Sequence, residues 1–133
     1  MRAMMFGAIV LLTQAGTVYA KSALRDVPQI DDGLFTVGLA HEIRKKCPSI
    51  EARLFKALGA LNDLERTARD LGYSEEEIRQ HLKSKAEKKR LRERAARYMG
   101  ERGFDQDKKG YCALGQAEIA QKTKVGALLR ASK

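Results

Sequence analysis

The stretch "SIEARLFKALGALNDLERTARDLG", Ser49 to Gly72, decides the fold. Ile50, Leu54, Ala57, Leu58, Leu61, Leu64, Ala68 and Leu71 recur at spacings of three and four. That is the period of one face of an α-helix, whereas a strand alternates at every second residue. The spacing predicts a helix over about 50–71, with Ser49 as its N-cap and Gly72 as a left-handed C-cap. A stripe of this kind is expected to face a core.

The neighbouring segments carry the same signal. Upstream, Phe35, Leu39 and Ile43 recur at four-residue spacing, widened by Val37, Ala40 and Cys47. They predict a first helix over about 33–47, capped by Asp31 or Asp32 and stopped by Pro48. Residues 21–31 read as an arm leading into a domain that spans 32–133. Downstream, Ser74 with Glu77 and Ser84 with Glu87 each have capping-box spacing. They predict helices over about 75–83 and 85–102, the second ended by Gly103. Phe104 is expected to tuck back against the core. A fifth helix is expected from near Tyr111 to about Lys122, then a short one capped by Thr123 and carrying Val125, Leu128 and Leu129. No strand is expected. The reading is an all-α, compact single domain of about five to six helices.

Composition agrees with that class. The 133 residues suffice for one domain, and with 6% aromatics and no Trp the core must come from aliphatic side chains. The formal net charge of +9 favours solubility and attraction to polyanions.

The N-terminus reads as a signal peptide. "MRAMM" carries Arg2, "FGAIVLLTQAGTV" is an apolar run, and "VYA" places small or tolerated residues before a cleavage point after Ala20. The alternative is an N-terminal membrane anchor, but the run is shorter than the ~20 apolar residues of a span. Cleavage leaves a mature chain with 25 basic and 17 acidic residues, hence +8, and a periplasmic location.

Export bears on the two cysteines. An even number in a small exported chain favours a structural disulfide, here Cys47 with Cys112, closing a loop of about 66 residues. Redox catalysis is the weaker alternative, because no Cys-x-x-Cys pair is present. A zinc site with His41 and His81 is another, but no two of the four sit at ligand spacing. No metal and no cofactor is expected. His41 reads as a boundary residue and His81 as lying on the solvated side of its helix. Gly115, one turn after Cys112, is expected to leave room for the end of the first helix near Cys47.

The pieces "IRKKCPSI", "ARDLGYSEEEI" and "YCALGQAEIA" resemble a small alphaproteobacterial family of exported, two-cysteine helical proteins of unknown function, over most of residues 25–130. The resemblance implies no catalytic residue. Some members of that family lie among genes for respiratory NADH–quinone oxidoreductase subunits, which hints at a respiratory partner.

No nucleophile elbow, P-loop, dinucleotide fingerprint or haem-attachment motif occurs, so no enzymatic activity is expected. What remains is a basic run from Arg79 to Arg102 with ten Lys or Arg against three Glu. On a helix, Lys85, Lys89 and Arg92 project from one flank and Arg90, Arg94 and Arg97 from the other. The bland reading is a solvated face with pairs such as Glu93 and Arg97. The functional reading is a surface for an envelope protein or an anionic membrane; nucleic acid is not the expected partner of an exported chain. The expected function is a non-enzymatic envelope binding or accessory protein. The alternatives are a small periplasmic chaperone or an accessory subunit of a respiratory complex.

Overall fold

A computed structural model describes residues 20–133. The signal segment expected over residues 1–20 lies outside them, apart from Ala20. The elements run in chain order as a 3-10 turn Leu24–Asp26, α1 Pro28–Lys46, β1 Ile50–Ala52, α2 Leu54–Asp70, α3 Glu75–Lys83, α4 Lys85–Glu101, α5 Lys108–Ala120, a 3-10 turn Gly126–Leu128, and β2 Leu129–Ala131. The domain is helical, and α1 is its axis, packed against α2, α4 and α5.

α1 starts at Pro28, five residues before the expected helix. Proline at the first helical position has the right φ and lacks an N–H that would go unpaired there anyway. Asp31 and Asp32 are therefore inside the helix and do not cap it. The preceding arm is also part of the domain. Leu24 and Ile30 are buried with Ala68, Tyr73 and Ile78 in a small second core. The Tyr73 hydroxyl donates to the Ser22 carbonyl at 2.5 Å.

The main core joins Leu39, Ile43, Met99, Leu114 and Leu129, from α1, α4, α5 and β2. Cys47 and Cys112 are disulfide-bonded across it, as the even count suggested. A Cβ on Gly115 would come within 2.5 Å of Ile50 Cδ1 and 2.6 Å of Ile43 Cγ2. The glycine thus gives clearance to side chains on either side of Cys47.

The all-α reading holds, but the expectation of no strand is corrected by a two-stranded sheet. Ile50–Ala52 pairs antiparallel with Leu129–Ala131, Ile50 opposite Ala131. Pro48 breaks α1, Cys47 turns extended, and Ile50 is drawn into the core. Ser49 accordingly does not cap α2; the turn before α2 is held by Arg53 N–H donating to the Leu128 carbonyl at 2.8 Å. The expected last helix shortens to a single turn because Leu129 leaves it for the strand. Val125, not Thr123, is the N-cap of that turn, although the Thr123 hydroxyl accepts from Gly126 N–H at 3.0 Å. α5 begins earlier than expected, since Asp107 accepts from Gly110 N–H at 2.7 Å. Gly72 and Gly103 have positive φ after α2 and α4, as their placement predicted. Phe104 is half-buried against the main core.

The Ser74–Glu77 capping box is complete, with bonds of 3.1 and 2.7 Å. The second is only half formed. Ser84 accepts from Glu87 N–H at 3.2 Å, but the Glu87 carboxylate turns inward to Arg25 and Arg90.

Candidate interaction face

α2 departs most from its sequence reading. Its C-terminal half packs as expected at Ala68, which is buried, and at Leu61 and Leu64, which are half-buried, but Leu71 at its end is exposed and not in the core. Its first turns do not. Leu54 is 63% exposed, Phe55 92% and Leu58 57%. Leu54, Leu58 and Leu61 form one ridge, and Phe55 stands beside it on the outer surface. The ridge leads into a groove of about 460 Å³. α1 forms the floor with Leu34, Val37 and Gly38; Leu61 of α2 and Leu91 of α4 form the walls; α3 closes one end with Leu82.

The basic run divides between two roles. Lys85, Lys89, Arg92 and Arg97 are exposed, with Lys89 in a loose 3.7 Å pair with Glu93. Arg90 and Arg94 are not free cations. Both bind Asp31, Arg94 at 2.9 Å, and Arg94 also reaches Asp32 at 2.6 Å. Arg94 further stacks over the Phe35 ring. The flank expected from Arg90, Arg94 and Arg97 is thereby reduced to Arg97. The hydrogen bond to Asp31, outweighing burial, raises the Arg90 pKa above its ordinary value. Burial opposes ionisation of Glu87, but the Arg90 bond and the charges of Arg25 and Arg90 win and hold its carboxyl below the ordinary range. This network fastens α4 to α1 and to the N-terminal arm.

Both histidines line the groove. His41 is exposed. His81 is not on a solvated face as expected: its Nε2 is buried without a hydrogen-bond partner, and burial pushes its pKa down. The zinc reading loses its thiolates to the disulfide. Among the described residues no group of three or more His, Cys, Asp or Glu is arranged to hold a metal. A second buried carboxylate, Glu118, accepts from the Tyr98 hydroxyl at 2.6 Å and from Thr123, and lies 3.4 Å from Arg102. Burial, then the Glu118 bond, pushes the Tyr98 hydroxyl up to about 12. That cluster anchors the C-terminal turn.

Sequence reasoning missed the groove and assigned Leu54 and Leu58 to the core. The available signal was Phe55. It lies about 100° round the helix from Leu54, off the buried stripe, and a large aromatic there has no place in the core of this chain.

Residues 22–130 match the family described as "Family of unknown function (DUF5333)". The chain belongs to that family. The description assigns no activity, so the DUF5333 match adds no site residue to those found from the geometry. No curated protein and no solved structure matches the chain. Among the described residues of this DUF5333 chain, no helix is long and apolar enough to cross a membrane.

Proposed function

We propose that this DUF5333 chain is an exported, non-enzymatic protein of the alphaproteobacterial cell envelope that binds a partner protein through the face made by α2 and α4. One observation carries the reading: Leu54, Phe55 and Leu58 lie together in solvent at 63%, 92% and 57% exposure. Scattered apolar residues are ordinary on surfaces, but a contiguous group beside an apolar groove marks a binding face. On α4, Lys85, Lys89 and Arg92 are exposed and Arg92 lines the groove, which adds electrostatic attraction for an acidic partner. Export is supported by the signal-like character of residues 1–20 and is compatible with the disulfide.

The test is a pull-down from gently solubilised envelopes. It compares the wild type, Leu54→Ser/Phe55→Ser/Leu58→Ser, and Lys85→Glu/Lys89→Glu/Arg92→Glu. The reading expects both variants to keep the wild-type melting temperature and lose the wild type's specific partners. Equal recovery by all three contradicts it. Recovery of respiratory NADH–quinone oxidoreductase subunits by the wild type alone would identify the partner as that assembly. N-terminal sequencing of the mature protein should begin at Lys21.

The same exposed apolar group favours a second reading, a small periplasmic chaperone that holds unfolded clients. Suppression of client aggregation that fails in the triple-serine variant would select it.

A further inference from the structure

We propose that the groove between α2 and α4 takes an amphipathic helix from a partner protein, apolar residues inward and acidic residues along the edge facing α4. This rests on the binding role assigned above and adds the chemistry of the occupant.

Shape is the first argument. α1 and α2 form an antiparallel hairpin, with Gly33 of α1 against Leu64 of α2. Moving back along α2, Leu61, Leu58 and Leu54 therefore follow α1 towards its C-terminal end. The wall of the groove continues as an exposed ridge for another seven residues, about 10 Å of helix. A linear apolar track with a concave end matches a helix that presents anchors at successive turns. A compact small molecule would leave Leu54 and Leu58 bare. A bilayer would meet Phe55 but could not reach the floor of the groove.

The floor is the second argument. Gly38 is in the middle of α1, where glycine costs roughly 0.5–1 kcal/mol relative to alanine. A Cβ there would meet nothing within 4 Å, so no neighbour among the described residues requires the glycine. Gly59 of α2 and Gly100 of α4 are equally open, but of the three only Gly38 lines the groove, where it leaves the floor free for an anchor side chain.

Charge is the third. Lys88 and Arg92 stand on the α4 wall, exposed and with no salt-bridge partner among the described residues. The two carboxylates lining the groove are engaged, Glu87 by Arg25 and Arg90, and Glu42 by Lys46 at 3.9 Å. The open wall is therefore cationic and selects acidic residues. A second copy of the mature chain, with 25 basic and 17 acidic residues, meets net repulsion. Residues 1–19 are apolar but contain no carboxylate.

The test places a benzophenone amino acid at Leu58 of the full chain in its native host, irradiates the cells, and maps the joined segment by mass spectrometry. The expected product is an acidic, amphipathic helical segment of another protein. Its yield should fall at least tenfold with Gly38→Leu, which fills the floor, and with Lys88→Glu/Arg92→Glu, with no fall in melting temperature. Joining to residues 1–19, to a second copy or to lipid, the absence of any product, or a yield indifferent to Gly38→Leu would overturn the proposal. If the envelope pull-down still depends on Leu54, Phe55 and Leu58 in that case, the binding role stands and only the occupant is wrong.

Discussion

His81 sits where α3 meets the groove, with Glu87 and Arg90 of α4, Asp31 of α1 and Arg25 of the arm around it. Burial lowers its pKa, so the unfolded chain takes up a proton near pH 6.5 that the folded chain resists. Stability from this source is present above pH 6.5 and is lost as pH falls from there through the lowered folded value. Glu87 acts at lower pH. Its depressed carboxyl contributes stability above about 4.5, lost as pH falls through the folded value. The melting temperature should therefore drop in two stages on acidification from pH 7.5. His81→Leu should remove the first stage and leave the second, as thermal melts across that range will show. His81 was read as solvated because its helix is polar on most sides. It lies with Leu24, Ile30 and Leu34, some 50 residues away in sequence, and no local pattern encodes that.

At the scale of elements, legibility followed range. The Ser74–Glu77 box, the Gly72 and Gly103 caps and the stop at Pro48 depend on a few adjacent residues, and each was readable. The two strands are three residues each, too short to alternate visibly, and they pair across 79 residues. The exposure of Leu54 and Leu58 was hidden for a different reason. Periodicity identifies an apolar stripe but not what covers it. In α4 the basic run read as a free surface, yet Arg90 and Arg94 are held by Asp31, which the shifted start of α1 carries inside the helix. α5 against α1 offers a direct test of element packing. Gly115→Leu should cost about 1–3 kcal/mol in urea unfolding, because Ile43 and Ile50 leave no room for the added side chain.

The whole molecule is two cores around one axis, joined by the ionic network of Asp31, Arg90, Glu87 and Arg25 and fastened by the disulfide. The Cys47–Cys112 bond spans 65 residues, for which the chain-entropy estimate is about 4 kcal/mol. Replacing both cysteines with serine should lower stability by about 2–5 kcal/mol in chemical denaturation. Removing the staple leaves the α2 ridge itself untouched. Fold class and staple were legible because helical period and cysteine parity are properties of the chain. The binding face was not, because it consists of what the chain leaves uncovered. Its occupancy can be measured by hydroxyl-radical footprinting of the protein in intact cells and after purification. Phe55 and Leu58 should be oxidised several-fold less in cells than in the purified protein, while Leu71, 51% exposed at the other end of α2, is oxidised equally in both. Equal oxidation of Phe55 and Leu58 in the two states would contradict the account.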